Sequence, residues 1–310
     1  MRYTTAAGIN PGARMRGLSL IELMVSIAIG LVVTIAVVSS YIGSLGATRV
    51  SEAQVRMNED GQAALTILAQ NIRMAGNNPK QMDYANNTPR NPITATFIIR
   101  GCDGTFSNIT TEPDYIDLTC TGSGSPDSIA VRYEADIYNT VPISGSPTDC
   151  LGQTLPLLTG TALKGVPAVS TAVTYTVADN RFYIANSVAV PAPGLYCKGN
   201  GNATAQRLVE NVEDLQFEYG TAPIAATTLT VAGYIAADAV DALSLDIEER
   251  WSKVLTVRVC VVIRSEEALA PDAASARYTQ CDGTLNNAPP DLRLRKAYST
   301  TVLLRNRKKL

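Results

Sequence analysis

The chain has 310 residues, 46% of them apolar and 17% charged, so it can form a sizeable packed core. Its formal net charge of −2 does not suggest a nucleic-acid partner, which would normally require a basic face. The sequence contains no histidine, which excludes Ser-His-Asp and Cys-His catalytic sites and removes the commonest metal ligand. We therefore expect a protein that is not an enzyme and that binds no metal or other cofactor.

Residues 1–17 are polar, small and basic, with Arg14 and Arg16 close to their end. They are followed by a run without charged residues from Leu23 to Thr48, long enough to cross a hydrocarbon core of about 30 Å as a helix. An ordinary secretory signal has a much shorter apolar core. Because the arginines directly precede the run, the positive-inside rule predicts a cytoplasmic N-terminus and places the chain after about Leu45 outside the cytoplasm.

A single carboxylate, Glu22, lies inside the apolar segment, about one helical turn after Leu18. A charge costs about 3 kcal/mol at the centre of a membrane helix and less near its end, so a charged residue there usually has a functional partner. An ordinary membrane anchor explains the length of the segment but not this glutamate. The sequence therefore predicts a partner with positive charge for Glu22.

The segment from Arg16 to Leu23 reads RGLSLIEL and resembles the processing signal of type IV pilins and pseudopilins. The resemblance implies that a prepilin peptidase cuts after Gly17 and that Leu18 becomes the N-methylated N-terminus. Most members of the family have phenylalanine or methionine at that position. Glu22 matches the family's conserved glutamate, which implies pairing with the free amine of a neighbouring subunit and a role in setting the axial register.

The helix is expected to continue beyond the membrane, because apolar and small residues recur every three or four positions along one face. A glycine, two asparagines and a proline at 76–79 predict its end, so a helix over residues 18–75 would be about 87 Å long. The predicted organisation is a leader at 1–17, a transmembrane half-helix at 18–45, an amphipathic half-helix at 46–76 and a β-rich head at 77–310. The residues on the predicted helical face are Met57, Gly61, Leu65, Leu68, Ile72 and Ala75.

Strand patterns dominate the rest of the chain, and no further helix is predicted. We expect strands at 93–100, 127–134, 254–263 and 297–304, and a hairpin whose strands 172–177 and 181–186 flank a turn at 178–180. The predicted fold class is therefore α+β: a long N-terminal helix packed on an antiparallel β-sheet head, as in pilins.

Six cysteines follow the apolar segment, and none forms a C-x-x-C pair, which argues against zinc. An even number in a segment outside the cytoplasm predicts disulfides. Six cysteines allow fifteen pairings. We favour the sequential pairs because each closes a local loop, while buried free thiols remain the alternative. The favoured pairs are Cys102 with Cys120, Cys150 with Cys197, and Cys260 with Cys281.

A second resemblance lies in residues 208–220, LVENVEDLQFEYG, which we interpret as a turn or short helix leading into a strand with Phe217 and Tyr219 on one side. This stretch is similar to one in PilW-type minor pilins, as is the closing strand at 300–307. Residues 221–240 are small and apolar and suggest a hairpin or loop arm. The basic residues from Arg293 to Lys309 are interpreted as a solvated strand face with an exposed tail, and a DNA-binding surface is the alternative.

Asp103 and Asp282 each stand between a cysteine and a glycine, which favours tight turns over calcium binding.

These resemblances imply a minor pilin that takes part in type IV pilus assembly or initiation, at or near the tip. The implied partners are prepilin peptidase, other minor pilins, the major pilin, a tip adhesin and the inner-membrane assembly platform. The implied location is the inner membrane with one span and a periplasmic head, and then the pilus at the cell surface. The alternative is a large, GspJ-like minor pseudopilin of a type II secretion system. A membrane-anchored periplasmic enzyme and a DNA-capturing pilin are further hypotheses.

Overall fold

The structure is a computed structural model that describes residues 17, 19–77, 98–111, 114–122, 124, 126–164, 169–186, 192–202, 204–225 and 230–306. The chain divides into two compact units, Met1–Glu52 and Ala53–Leu310. The long helix α1, Leu20–Met74, contributes residues to both units.

In the first unit, α1 exposes its large apolar side chains up to Leu45. From Leu20 to Leu45 these side chains are between 43% and 77% exposed. Among the described residues, α1 alone is long and apolar enough to cross a membrane. The hydroxyls of Ser26, Thr34 and Thr48 each donate to the carbonyl four residues earlier, so their polarity is satisfied within the helix. This surface suits a lipid or a packed-helix environment.

In the second unit, α1 buries the predicted helical face. Each predicted residue on that face is buried, together with Ala64 and Ala69. The helix ends at Met74, and Gly76 follows with φ +71°, a conformation that glycine adopts readily. The Gly76 N–H donates to the Arg132 carbonyl, which joins the end of the helix to the first sheet.

The first sheet is antiparallel, with strand order β1-β2-β4-β5-β6, and β3 pairs with the first part of β4. A short 3₁₀ helix, Tyr115–Asp117, lies between β1 and β2. The strands are β1 (Ile99–Cys102), β2 (Ser128–Ala135), β3 (Leu158–Lys164), β4 (Val169–Asn186), β5 (Pro193–Lys198) and β6 (Gln206–Glu210). The predicted strand at 127–134 is confirmed, whereas residues 93–97 of the first predicted strand lie outside the described residues.

The predicted hairpin turn at 178–180 is wrong, because β4 runs without interruption through these residues and pairs with β2. The polar residues that suggested a turn have partners in the folded protein. The Asp179 carboxylate pairs with Arg181 at 2.7 Å, and the Asn180 amide donates to the Tyr133 hydroxyl at 3.2 Å. Buried polar residues are tolerated in a strand when they are hydrogen-bonded in this way.

The second sheet is also antiparallel, with order β12-β9-β7-β8. Its strands are β7 (Val212–Thr221), β8 (Gly233–Ile235), β9 (Val254–Ala268) and β12 (Arg293–Leu303). A small ribbon of β10 (Tyr278–Thr279) and β11 (Leu285–Asn286) lies between β9 and β12 in sequence. The expected strands at 254–263 and 297–304 are thereby confirmed.

Two short helices, α2 (Ala237–Asp241) and α3 (Ile247–Ser252), contradict the expectation of no further helix. Both are too short to show a helical hydrophobic period, and capping stabilises their first turns. Asp246 caps α3 from the adjacent position. Asp103 accepts the N–H groups of Ala237 and Asp238 at 2.8 Å and therefore caps α2 from far away in the sequence.

The chain passes from β6 directly into β7 through Asn211, which has φ +57°. The turn or short helix expected within 208–220 is therefore absent. A single residue with positive φ separates two strands there, and it takes the chain from the first sheet to the second. Phe217 and Tyr219 do lie on one side, are buried, and have ring centroids 6.4 Å apart. Residues from α1 and from both sheets share one hydrophobic core.

The solvated strand face expected from Arg293 onward is wrong for Arg295. Its side chain is 0% exposed and pairs with Glu213 at 2.7 Å and Asp291 at 2.8 Å. These two carboxylates neutralise and hydrogen-bond the guanidinium, which a buried charge requires. Residues 307–310 of the predicted tail lie outside the described residues.

Candidate assembly site

The expected processing position lies just before α1. Gly17 is exposed, and no heavy atom of the described residues lies within 4 Å of the position that a Cβ would occupy there. Residues 1–16 and Leu18 lie outside the described residues. The described part of the chain therefore leaves open space at Gly17, as a protease substrate needs.

Glu22 lies in the first turn of α1 and is exposed. Its backbone carbonyl accepts a hydrogen bond from Ser26 Oγ at 2.7 Å. The first turn of a helix carries partial positive charge from its free N–H groups, which stabilises a carboxylate at this position. Within the part of the chain that the structure describes, no basic side chain pairs with the Glu22 carboxylate. The carboxylate is therefore accessible to a group from another molecule.

The second half of α1 is fixed on the second sheet through Tyr298 of β12. The Tyr298 hydroxyl donates to Asn58 Oδ1 at 2.7 Å, and Lys296 Nζ donates to the same atom at 3.1 Å. A Cβ at Gly61 would lie 2.6 Å from the Tyr298 ring, so only glycine lets the helix approach the strand this closely. These contacts fix the position of α1 along its axis relative to the second sheet.

A buried polar network fixes the end of α1 on the first sheet. The amide of Asn180, which is fully buried, donates to Asn71 Oδ1 at 2.9 Å and to the Tyr133 hydroxyl. Its own oxygen accepts the N–H of Cys150 at 3.1 Å. Burial raises the pKa of Tyr133 to about 12, so the hydroxyl stays protonated. The network therefore ties helix, sheet and one disulfide loop together.

Three disulfides join the six cysteines in the sequential order that we favoured. Their Cα separations are 5.5 Å for Cys102 with Cys120, 6.5 Å for Cys150 with Cys197 and 5.7 Å for Cys260 with Cys281. The Cys150–Cys197 disulfide attaches the loop around Cys150, whose N–H donates to Asn180, to β5. The bonds close loops with sequence separations of 18, 47 and 21 residues and so limit the entropy of the unfolded chain.

Asp127 connects the two sheets. Its carboxylate accepts the N–H of Gly104 at 3.2 Å and the N–H of Phe217 at 2.8 Å, and its own N–H donates to the Leu215 carbonyl. These bonds occupy the part of the β7 edge that β8 does not reach. Burial raises the pKa of Asp127 to about 7, and the nearby Asp103 also raises it, while the two N–H groups lower it.

An open cleft of about 1160 Å³ lies on the face of the second sheet that is turned away from α1. Among the charged side chains of its lining, acids predominate over a single base, Arg258, which stacks on Tyr234 at 3.6 Å from the ring centroid. Asp103 and Asp282 both border it, but each carboxylate accepts backbone N–H groups, of α2 and of Thr284 respectively. Among the described residues, no group of three or more carboxylate, thiol or imidazole ligands could hold a metal ion.

Several residues that position α1 were not found from the sequence. Asn58, Asn71 and Asn180 have no motif around them, although Asn58 and Asn71 each directly adjoin a residue of the predicted buried face. That adjacency is the one signal that could have indicated a buried amide. Asp127 and Glu213 depend on partners about 80 to 90 positions away, at Phe217 and Arg295.

The comparisons with known families agree with these features. Residues 181–306 match the family described as Type IV Pilus-assembly protein W, and residues 12–38 match the prokaryotic N-terminal methylation motif. Among solved structures, the Type IV-like pilin TTHA1219 from Thermus thermophilus matches 82% of this chain and 99% of its own, with 11% identity and a TM-score of 0.35. A search of curated protein sequences found no significant match.

The long apolar N-terminal helix, whose later part packs on antiparallel sheets, is the fold class expected of a pilin-like protein. The match over residues 181–306 confirms the resemblance to PilW-type proteins in the later part of the head, and the match over residues 12–38 confirms the N-terminal methylation motif. Such proteins are structural rather than enzymatic in kind, and they act with other pilus components. The methylation motif and the apolar helix fit a membrane-anchored pilin.

Proposed function

We propose that the protein is a minor pilin that takes part in the assembly or initiation of a type IV pilus, at or near the pilus tip. The observation that carries this proposal is the coincidence of the methylation motif with an exposed carboxylate, Glu22, at the start of a 55-residue helix. The match of the head to the pilus-assembly family supports a pilus over a type II secretion system.

In this proposal, prepilin peptidase cleaves after Gly17 and Leu18 becomes the methylated N-terminus. The open space around Gly17 supports access of the peptidase. Cleavage creates a new amine about one helical turn before Glu22. The carboxylate of one subunit then pairs with the amine of its neighbour, which offsets the cost of burying either charge among apolar helices.

The proposed location is the inner membrane, with the N-terminus in the cytoplasm and the head in the periplasm, followed by incorporation into the pilus. Residues 18–45 would be the transmembrane half-helix, 46–76 the amphipathic half and 77–310 the head. Three disulfides in the head support an oxidising compartment. The proposed partners are other minor pilins, the major pilin, a tip adhesin and the assembly platform, and no catalytic role is proposed.

Leader processing is tested with Gly17→Val, which is expected to leave the leader attached because a branched side chain fills the space required at the scissile bond. Mass spectrometry of the wild-type protein should find a mature N-terminus at Leu18 with one added methyl group. Gly30→Val adds the same side chain inside the apolar run and serves as the matched control, with normal cleavage. An intact Met1 in assembled filaments would contradict the proposal.

The role of Glu22 is tested with Glu22→Val, which is expected to be processed normally but to assemble poorly. Surface pili are counted by electron microscopy, and processing is followed by mass spectrometry in the same strain. The control is Glu52→Val, which removes a carboxylate from the same helix outside the apolar run. Wild-type numbers of pili with Glu22→Val would show that no charge pairing at this position is needed.

A further inference from the structure

The second half of β12 has backbone groups that point away from the sheet. Within the described residues, β12 is the terminal strand of the second sheet and pairs with β9 alone. The Leu304 N–H donates to the Leu255 carbonyl, which shows that Leu304 directs its backbone groups toward β9. Because this direction alternates along an antiparallel strand, Ser299, Thr301 and Leu303 direct theirs outward.

These outward groups have no backbone partner among the residues that the structure describes. Ser299 and Thr301 are exposed, and Leu303 is 52% exposed. The three residues present three N–H donors and three carbonyl acceptors in a row. Such a row can accept one further strand, whose backbone supplies the missing partners.

This half of β12 also lacks the features that usually keep an edge from pairing with another molecule, which are charges, proline and bulges. The first half of the strand has a register shift between Arg293 and Arg295, and the Tyr278 ring of β10 lies 5.6 Å from the Arg295 guanidinium. From residue 297 to residue 304 the strand has no charge, no proline and no bulge, and it is rich in β-branched and aromatic residues.

Positive charge borders the uncharged stretch at both ends. Lys296 precedes it and Arg305 follows it, and both are exposed. Neither forms an ion pair with a carboxylate of the described residues, and Lys296 Nζ donates to the neutral amide oxygen of Asn58. The carboxylates of Asp214 and Glu218 belong to β7, two strands and about 10 Å from this edge. A strand added to β12 therefore meets cations at its two ends.

These charges are unfavourable for a second copy of the same edge. In a two-fold antiparallel pair centred on Thr301, the sequence positions of Arg307 and Lys309 fall opposite Arg295 and Arg293. Like charges directly opposite each other destabilise a pair of strands. The charges instead favour a different chain with acidic residues at the corresponding places.

We propose that the edge from Ser299 to Leu303 is a docking site for an extended segment of another protein, which joins the second sheet as an additional strand. The segment that fits has an uncharged centre rich in β-branched residues and has acidic residues at both ends. Its backbone forms up to about six hydrogen bonds with the outward groups of β12. Its carboxylates lie beside Lys296 and Arg305.

In this arrangement the main-chain hydrogen bonds supply affinity, and the terminal charges select acidic partners over basic ones. The inference goes beyond the proposed pilus role and does not depend on it, because it rests on β12 and the charges around it. If it fails, the proposed function, which rests on Gly17 and Glu22, is unaffected.

Thr301→Pro tests the hydrogen bonds. It removes one outward N–H, and proline is tolerated at an edge position because the ladder to β9 stays intact. The probe is a fluorescent peptide with alternating threonine and valine at its centre and glutamates at both ends, added to the full-length protein in detergent. Fluorescence anisotropy should show saturable binding to the wild type and to Thr301→Val, the matched control that keeps the N–H. Thr301→Pro should raise the dissociation constant at least about tenfold, with an unchanged circular dichroism spectrum.

A charge exchange tests the selection of acidic partners. The same peptide with lysines in place of the glutamates should bind the wild type at least about tenfold more weakly. Arg305→Glu should weaken binding of the glutamate peptide and strengthen binding of the lysine peptide, so each protein serves as the control for the other.

Three results would each overturn the proposal: no binding of the glutamate peptide to the wild type, equal binding of the two peptides, or wild-type binding by Thr301→Pro. Association through the basic residues alone, as with a nucleic acid, does not require the Thr301 N–H. It would give the third of these results.

Discussion

Replacing Asp127 by asparagine is expected to change how the stability of the head depends on pH. Asp127 is buried at 5% exposure, and its carboxylate accepts the N–H of Phe217 in β7 and the N–H of Gly104 in the loop that follows β1. Burial raises its pKa from 3.8 to about 7 despite these two donors. Asparagine has nearly the same shape and does not ionise, so the variant isolates the contribution of ionisation.

The magnitude follows from the difference between the folded and unfolded pKa values. A group whose pKa is raised in the folded state stabilises the fold below its unfolded pKa, and this contribution is lost as pH rises through the folded pKa. For Asp127 the loss begins near pH 4 and is complete just above pH 7. A shift of about 3 units corresponds to ~4 kcal/mol. The asparagine lacks one acceptor, which costs about 1–3 kcal/mol at every pH.

The assay is urea unfolding followed by the fluorescence of Trp251, the sole tryptophan of the chain. Its side chain is 1% exposed, and its ring lies 5.1 Å from that of Tyr219 in the same core as β7. We expect the unfolding free energy of Asp127→Asn, minus that of wild type, to increase by up to ~4 kcal/mol between pH 4 and pH 8. Titrating groups that do not interact with Asp127 contribute equally to both proteins and cancel in the difference.

Asp282→Asn is the control, because the contribution of Asp282 to stability depends on pH in the opposite direction. Hydrogen bonds from Thr284 lower the pKa of this exposed carboxylate, so its contribution to stability is lost as pH falls. A difference for Asp127→Asn that stays constant from pH 4 to pH 8 would refute the reasoning. It would mean that the two backbone donors outweigh burial and keep the carboxylate ionised throughout.

Three further substitutions test how the helix and sheets are held, each measured by the same urea titration. Gly61→Ala should destabilise the head by about 1–3 kcal/mol, because its Cβ would lie 2.6 Å from the Tyr298 ring. Glu213→Gln should cost about 2–4 kcal/mol, because it removes one of two carboxylates from the fully buried Arg295 side chain. Asn180→Leu should cost about 1–3 kcal/mol, because it leaves buried hydrogen-bonding groups of the α1 network without partners.

The first two of these substitutions each have a control at an exposed site. Gly46→Ala lies on the same helix with open space around it and should not destabilise the protein. Glu218→Gln breaks an exposed pair with Arg258 and should cost less than about 1 kcal/mol. If Gly61→Ala or Glu213→Gln changed stability no more than its control, the corresponding contact would not hold the fold. For Asn180, equal stability of Asn180→Leu and wild type would argue against the network.

The helix and its signal were predictable from the sequence because local rules govern them. An uninterrupted apolar run, a basic flank and one carboxylate define a membrane segment without reference to any other part of the chain. The buried face from Met57 to Ile72 follows from a period of three or four residues, and Gly76 marks the end. The strongest strands, β2, β9 and β12, were found for a similar reason, since their β-branched residues recur within a few positions.

Only the tertiary structure decided which polar residues are buried in the sheets. The segment at 178–180 has the composition of a turn, yet it is part of β4 because Asn71 and Tyr133 supply partners that no local pattern reveals. The basic residues around Arg295 suggest a solvated strand, yet the Arg295 side chain is buried because Glu213 supplies a hydrogen-bonding carboxylate. A polar side chain is stable in a core when its partner is present, and these partners lie between about 50 and 110 residues away. The sequence by itself predicted the membrane segment, and the fold determined which contacts hold the second half of α1 on the sheets.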